Sequence, residues 1–215
     1  MKLDRHGFRA GDRAADSPLA HVLPPPGLWL VEEGCRPPPD HSPGRLLMTW
    51  PAIPHGMALT LRTATLMPLD LGSALIAGTG SGGDDMPLLA ELALHEILVN
   101  AAVHGNLEVD SGTAAAWRDL SFRHQRIEAA LMDPVRAARL VTVALGWDEE
   151  HVIAAVIDQG HGYDPSTIVS MPPDGVRRGC GRGLEIARAA ARVEVLMGGR
   201  CTRLTFARQS RTGRR

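Results

Sequence analysis

Residues 156–164 read Val-Ile-Asp-Gln-Gly-His-Gly-Tyr-Asp, and they directly follow an apolar stretch that is typical of a buried strand. In this run Asp158 stands at the end of the strand, and Gly160 and Gly162 follow it. A carboxylate in that position can accept a hydrogen bond from a purine ring, while the two glycines let the backbone pass close to the base. The run alone is compatible with several kinds of pocket.

The composition is that of one ordinary globular domain. The chain has 215 residues, 44% of them hydrophobic, and a formal net charge of -1, so one core is expected. Because the basic residues are scattered, we expect no direct nucleic-acid partner. The odd number of cysteines, Cys35, Cys180 and Cys201, and their wide spacing favour reduced thiols and a cytoplasmic location. No uncharged apolar run reaches the ~20 residues of a membrane helix, so no membrane contact is expected.

The chain contains one lysine, Lys2. Because no other lysine is present, P-loop nucleotide binding is excluded, since it requires the motif G-K-[ST]. Phosphoryl transfer by a protein-kinase fold is excluded as well, since it places a strand lysine on the phosphates. Schiff-base chemistry is excluded for the same reason. A nucleotide site in this chain must therefore neutralise phosphates with arginines, backbone amides and a metal ion.

The proline clusters at 24–26 and 37–39 divide the chain into regions. They predict that residues 1–44 form a poorly ordered extension, followed by a domain over 45–208 and a basic tail over 209–215. The apolar piece 28–31 could dock on the domain or on a partner. Residues 45–50 are expected to form an edge strand, and residues 57–67 are compatible with a strand or a short helix.

A glycine-rich segment at 77–83 resembles the start of a dinucleotide-binding turn. Asp84 and Asp85 then stand where a pyrophosphate would bind, and two negative charges repel phosphate. The segment is better explained as a connector whose aspartates cap the next helix.

That next helix is predicted over 87–103, where no residue interrupts an apolar pattern. Glu96, Asn100 and His104 follow each other at intervals of four, which places them along one stripe. Because the flanks of the stripe are apolar, we expect these polar groups to line a pocket, where a carboxylate and an amide can serve as a base and as a Mg²⁺ ligand. His95 and Glu96 begin the zinc-protease pattern H-E-x-x-H, but Val99 breaks it.

Further elements follow along the chain. Residues 114–132 are expected to form a helix, and 140–147 with 152–157 an antiparallel hairpin. A last hairpin is predicted over 193–207 around a glycine turn. The segment 163–182, rich in proline and glycine, suits a functional lid, or simply a solvated basic loop. The candidate core contacts of the 114–132 helix are Trp117, Leu120, Ile127 and Leu131. The candidate phosphate-binding cations of the 163–182 segment are Arg177, Arg178 and Arg182.

Three motifs stand in a fixed order along the chain. Residues 96–105 read E-x-x-x-N-A-x-x-H-G, residues 158–164 read D-x-G-x-G-Y-D, and residues 181–184 read G-R-G-L. In this order, and with the terminal hairpin, they resemble the ATP-binding domain shared by gyrase, histidine kinases and MutL (GHKL). Within that superfamily the chain is most similar to the anti-sigma-factor serine kinases of bacterial partner switching. The resemblance covers about residues 45–208.

The resemblance implies a role for each matching residue. Glu96 would be the general base, Asn100 the Mg²⁺ ligand, and Asp158 the acceptor of a hydrogen bond from the adenine amino group. The family usually has a threonine that supports this aspartate; the alignment puts Cys201 there, with Thr202 next to it and facing the other way. Either the register is shifted by one residue or the support is weakened. The other residues implied in the cofactor site are His104, Gly160, Gly162, Gly179, Gly181, Arg182, Gly183 and Leu184.

The resemblance also implies a fold and a function. The fold would be an α/β two-layer sandwich, a mixed sheet with helices on one face (the Bergerat ATP-binding fold). With ATP and Mg²⁺ as cofactors, the protein would phosphorylate a serine or threonine of a small antagonist protein and sequester a sigma factor; a homodimer is compatible with this. Residues 1–44 are too proline-rich for the helix pair that precedes the domain in histidine kinases, so a histidine-kinase-like fragment is the second choice. A non-enzymatic, ATP-gated protein-binding module is a further alternative.

Overall fold

A mixed β-sheet organises the computed structural model, which describes residues 8–10, 27–47, 54–80, 86, 89–109, 120–163 and 182–208. Within these ranges the sheet has seven strands in the order β1-β2-β3-β4-β5-β7-β6. Strand β2 pairs with β3 in parallel, and all other neighbours are antiparallel. The strands are β1 (Phe8–Ala10), β2 (Gly27–Glu32), β3 (His55–Arg62), β4 (Leu140–Trp147), β5 (His151–Ile157), β6 (Arg192–Leu196) and β7 (Cys201–Ala207).

Helices are interspersed among these strands, which confirms the α/β class. They are α1 (Pro43–Leu47), α2 (Thr63–Leu66), α3 (Leu71–Gly78), α4 (Ala90–Asn100), α5 (Leu120–Leu131), α6 (Pro134–Ala138) and α7 (Arg182–Ala190). A π-helix, Ala101–Asn106, continues α4, and 3-10 turns cover Pro39–His41 and Met197–Gly199. In the described part of the chain, no helix has the length and apolar character needed to cross a membrane.

The two predicted hairpins are confirmed. Strands β4 and β5 pair in a register that sets Val143 opposite Val156, and β6 pairs with β7 around the turn at Gly198 and Gly199. Almost every residue of β4 and β5 is buried. Successive strand residues point to opposite faces of the sheet. Because odd- and even-numbered residues are both buried, both faces are covered here.

Helices α3, α4 and α7 cover one face of the sheet, called here the helix face. Their apolar side chains pack with alternate residues of the central strands, such as Val143 and Val156, into the main core. Leu94 and Ala93 of α4 are completely buried in it. This layer is the one that the resemblance implied, and it confirms a helix in the region predicted over 87–103.

The opposite face is covered as well, which corrects the expectation of helices on one face only. There Leu46 and Leu47 of α1 pack against the other set of strand residues, including Ala144 and Ile153. We call this side the α1 face. The edge strand expected over residues 45–50 is therefore wrong for 45–47, because Pro43 suits a first helical turn and both leucines find apolar partners under the sheet.

Residues before Arg45 belong to the sheet, although the sequence placed the start of the folded part there. Strand β2 pairs with β3 from Gly27 to Val31, so the apolar piece 28–31 docks on its own domain. The ambiguous run 57–67 is divided, since β3 ends at Arg62 and α2 begins at Thr63. The basic tail and the acidic pair Asp84 and Asp85 lie outside the described residues.

The helix predicted over 114–132 is described from Leu120 onward. Leu120 itself is 68% exposed, so its assignment to the core is wrong. Ile127 and Leu131 are partly buried against a small cluster with Val103 and Leu107. Trp117 lies outside the described residues. An apolar residue at helical spacing reaches the core only if its side of the helix meets another layer, and the sequence does not specify that orientation.

Candidate functional site

Asp158 lies at the carboxyl end of β5, on the helix face, and is only 6% exposed. Burial raises the pKa of its carboxyl to about 6, while the hydrogen bond from Gly160 and the charges of Arg200 and Arg139 act in the opposite direction. The Gly160 N–H donates to Asp158 Oδ1 at 2.8 Å. The Asp158 N–H donates to the Arg200 carbonyl at 3.1 Å, which ties the strand end to the start of β7.

Glycines surround this carboxylate because the backbone comes too close for any side chain. A Cβ atom at Gly105 would lie 2.5 Å from Asp158 Cγ, and one at Gly160 would clash with the Gly105 carbonyl oxygen. The Asp158 carboxyl therefore lies directly against the end of the π-helix. The motif of residues 96–105 and the motif of residues 158–164 meet at this point.

The second glycine after the strand, Gly162, meets the terminal turn. Its φ of +72° is in the left-handed region, and an added Cβ would clash with the Gly198 carbonyl oxygen. The neighbouring Tyr163 N–H donates to that same carbonyl at 3.1 Å. Residues 160–163 are thus laid against the glycine turn of the last hairpin, which forms one wall beside Asp158.

The register between β5 and β7 answers the question raised by Cys201. Cys201 pairs with Ile157 and packs in the core of the α1 face. Thr202 pairs with Val156, whose side chain belongs to the helix face, and its hydroxyl lowers the pKa of the Tyr163 phenol against the larger raising effect of burial. Thr202, rather than Cys201, therefore lies on the same face as Asp158, as the one-residue shift in register requires.

A second contact brings the other two motifs together. A Cβ atom at Gly183 would lie 2.7 Å from Glu96 Oε2 and 3.2 Å from Asn100 Nδ2, so the first turn of α7 lies against these two partly buried side chains of α4. Leu184 is 5% exposed and anchors the same turn in the main core. The predicted base and metal ligand thus stand at the N-terminus of a helix, where backbone N–H groups favour anions.

His104 does not continue the stripe of Glu96 and Asn100. The chain changes from α- to π-helix after Asn100, and the Leu107 N–H donates to the Ala102 carbonyl five residues back. This wider turn rotates His104 away from the line that the spacing i, i+4, i+8 predicts. Its Nδ1 lies 2.8 Å from the Val109 carbonyl oxygen, and the residue is exposed.

Part of the predicted lid cannot be placed. Gly179, Gly181, Arg177 and Arg178 lie outside the described residues, and the description of α7 begins at Arg182.

Asn106 belongs to the site, although the sequence motifs did not single it out. Fully buried, it donates from Nδ2 to Thr63 Oγ1 at 2.8 Å and to the Leu140 carbonyl at 3.0 Å. Its Oδ1 accepts from the Gln159 N–H at 2.7 Å. Asn106 therefore holds the residue that follows Asp158, and the only sequence signal was an amide placed directly after Gly105.

The side chains that the described residues bring together could bind Mg²⁺ only jointly with ligands from another molecule. No three His, Cys, Asp or Glu side chains in the described ranges are grouped to hold a metal ion by themselves. The carboxylate of Glu96 and the amide of Asn100 offer the hard oxygen atoms that Mg²⁺ prefers, and Mg²⁺ in nucleotide sites takes its other ligands from phosphates and water. The residues therefore fit a metal that arrives with a nucleotide.

A groove of about 820 Å³ opens at the other end of the strands, where β5 begins at His151. Arg188, Arg192 and Arg203 line it together with Leu47. Since β5 runs its whole length between His151 and Asp158, this groove is separate from the site described above.

A scan against protein-family models and a search of curated proteins find no match to the chain.

Proposed function

We propose that this protein binds Mg-ATP in the pocket between Asp158 and the N-terminus of α7. The observation that supports the proposal most strongly is the double contact made by one continuous helix. Glu96 and Asn100, in the middle of this helix, contact Gly183, and Gly105, near its C-terminal end, contacts Asp158. Three motifs that are far apart in sequence thereby border one site, with a buried acceptor at one end and a helix N-terminus at the other.

Each residue has a defined task in this proposal. Asp158 accepts a hydrogen bond from the adenine amino group, and the glycines at 160 and 162 let the base lie against the backbone. Asn100 supplies an oxygen ligand to Mg²⁺, and the first turn of α7 presents backbone N–H groups to the phosphates. When bound, ATP supplies the phosphoryl group and Mg²⁺ offsets its charge.

We further propose that the site phosphorylates a serine or threonine of a small antagonist protein, as in the anti-sigma-factor kinases that the motifs resemble. Glu96 would accept the proton of the attacking hydroxyl while the γ-phosphoryl group of ATP is transferred to that oxygen and ADP leaves. Sequestration of a sigma factor is the regulatory output that this resemblance suggests. Glu96 favours catalysis over simple binding, because a pure ATP-gated module needs no base beside its metal ligand.

Titration calorimetry with ATP, with and without Mg²⁺, tests the binding step. Incubation with labelled ATP and candidate antagonist proteins then tests transfer, with Glu96→Gln as the matched variant. Acid-stable label that requires Glu96 supports the serine/threonine kinase. Acid-labile label on a histidine acceptor indicates the histidine-kinase-like alternative, and ATP binding without transfer leaves the binding module. The absence of any ATP binding by the parent chain contradicts the whole proposal.

A further inference from the structure

The residue that follows Asp158 is joined to β4 through side-chain amides instead of main-chain pairing. The antiparallel register of β4 and β5 sets Thr142 opposite Ile157, so a continued ladder would set Leu140 opposite Gln159. Strand β5 ends at Ile157 instead, and Oε1 of the Gln159 side chain accepts the Leu140 N–H at 2.6 Å. A side chain therefore supplies the acceptor that the strand no longer offers.

The Asn106 amide completes this junction. Its Nδ2 donates to the Leu140 carbonyl at 3.0 Å, and its Oδ1 accepts the Gln159 N–H at 2.7 Å. The amide is thus inserted between a carbonyl and an N–H that a continued ladder would pair directly. The other Nδ2 hydrogen goes to Thr63 Oγ1 at 2.8 Å, so both hydrogens and the oxygen of this fully buried amide are used. We call Asn106, Gln159 and the main chain of Leu140 the amide clasp.

The amide clasp turns the chain away from β4 at the point where the π-helix ends. Asn106 directly follows Gly105, and a Cβ atom added at Gly160 would clash with the Gly105 carbonyl oxygen. One added at Gly105 would lie 2.5 Å from Asp158 Cγ. The inserted amide therefore keeps residues 158–160 against the π-helix, where β4 cannot pair with them.

The clasp also leads to the hydrogen bond that orients the carboxylate. Gln159, whose N–H and side chain are both held, lies between Asp158 and Gly160. The Gly160 N–H donates to Asp158 Oδ1 at 2.8 Å. Rotation of the peptide group between residues 159 and 160 would move this N–H and turn the carboxylate with it. While Oδ1 is held by Gly160, the direction of Oδ2 is fixed as well.

We propose that Asn106 and Gln159 are positioning residues that set the preference of the site for adenine over guanine, through the amide clasp and the direction of the Asp158 carboxylate. The inference rests on the proposed nucleotide site. Adenine carries an amino group at C6, which donates to a carboxylate, whereas guanine carries a carbonyl oxygen there, which a carboxylate repels. This discrimination depends on direction, because a hydrogen bond weakens steeply as its angle falls. The triphosphate is the same in both nucleotides.

The test compares four variants. Gln159→Met keeps the length of the side chain but removes the acceptor for the Leu140 N–H, and Gln159→Glu keeps an oxygen acceptor there. Asn106→Asp keeps the acceptor for the Gln159 N–H but loses both donated hydrogens. Thr79→Val is the matched control, because Thr79 is 3% exposed and its hydroxyl donates at 2.7 Å to a carbonyl of α3. Its own carbonyl accepts from Arg208, beyond the far end of β7 from Asp158.

The measurements are the Kd values for Mg-ATP and Mg-GTP by calorimetry, the melting temperature, and amide hydrogen exchange at Leu140 and Gly160. We expect the parent to prefer ATP, Asn106→Asp to lower this preference roughly fivefold and Gln159→Met roughly threefold, the range of one ordinary hydrogen bond. Gln159→Glu should keep most of the parental preference. Thr79→Val should lower the melting temperature and leave the preference unchanged.

A merely structural role would give a different result. Partial loss of the folded state weakens the apparent affinity for both nucleotides by the same factor. If Asn106→Asp and Gln159→Met weaken ATP and GTP equally, or if Gln159→Glu loses as much preference as Gln159→Met, the inference is wrong and the proposed ATP site still stands. Equal affinity of the parent for the two nucleotides also overturns it. If Asn106→Asp does not fold, the half-buried Gln159 carries the test.

Hydrogen exchange separates failure of this inference from failure of the proposed function. If the parent chain binds neither nucleotide, the proposed function fails by itself. The positioning of Asp158 is then decided by Gln159→Met. Faster exchange at both Leu140 and Gly160 upholds the connection from the amide clasp to the carboxylate. Faster exchange at Leu140 alone, or at neither residue, overturns it.

Discussion

Near the end of β5, Asp158 is buried on the helix face of the sheet and His41 on the α1 face, and the difference between these two groups is informative. On the helix face burial raises the pKa of Asp158 to about 6, and on the α1 face burial lowers the pKa of His41 to about 4. Both shifts favour the neutral form. The backbone of Gly105 approaches the Asp158 carboxylate closely, whereas His41 is enclosed with its Nδ1 against the hydroxyl of Thr142. A shifted pKa therefore reports burial, and by itself it does not identify a binding group.

The largest effect is expected where Gly162 packs closely against the glycine turn of the last hairpin. Gly162→Ala should lower the free energy of unfolding by about 3 kcal/mol, because it adds a backbone clash with Gly198 to the strain of a positive φ. Gly80→Ala is the matched control: its φ is +71° but an added Cβ meets nothing within 4 Å, so it should cost only about 1 kcal/mol. Equal costs in urea unfolding would show that the turn contact is unimportant.

The opposite pKa shifts on the two faces can be separated by pH. The folded pKa of Asp158 lies above its usual 3.8, so its contribution to stability is greatest below pH 4 and is lost as the pH rises to about 6. The folded pKa of His41 lies below 6.5, so its contribution is complete above pH 6.5 and is lost as the pH falls to about 4. Each shift of about two pKa units corresponds to about 3 kcal/mol at most.

In the parent chain these two trends nearly cancel between pH 4 and 6.5. Relative to the parent, Asp158→Asn should gain stability as the pH rises through this range, and His41→Gln should gain stability as the pH falls. Denaturant unfolding at half-unit pH steps measures both differences, and the subtraction removes the contribution of other carboxylates. If the stability differences of both variants from the parent changed in the same direction with pH, the assignment of one pKa shift to each face would be contradicted.

Asp158→Asn also tests the helix face as a binding site. Losing the charge at the acceptor should weaken ATP binding by about 1.5–3 kcal/mol, as is typical of a hydrogen bond to a charged group. Calorimetry gives this value directly. An Asn variant that binds ATP as tightly as the parent would show that this carboxylate is not the adenine anchor.

The smallest expected effect separates two neighbouring residues of β7 that face opposite ways. Thr202→Val should cost about 1 kcal/mol in ATP affinity, because it removes a hydroxyl from the face of β7 that Asp158 shares. Cys201→Ala should lower the melting temperature through the core of the α1 face and leave the affinity unchanged. The reverse pattern would mean that the β5–β7 register does not decide which residue supports Asp158.

Sequence reasoning worked where a signal is local. The apolar runs of β4 and β5, the glycine turn before β7 and the long apolar helix all have short-range patterns, and all are found close to their predicted bounds. The α-helical spacing from Glu96 to His104 is interrupted, because residues 101–106 form a π-helix. Sequence reasoning was wrong for residues 45–47, where a short apolar run suits a strand as well as a helix.

The sequence by itself determined the α/β class, the hairpins and the order of the three motifs, because strand alternation, helix period and glycine turns are written in neighbouring residues. Only the tertiary structure decided that Gly183 lies against Glu96 and Gly105 against Asp158, that Thr202 shares the face of Asp158, and that residues 27–47 close the α1 face. These contacts join residues far apart in the chain. They depend on register and on packing between layers, where a shift of one residue turns a side chain to the opposite face of the sheet.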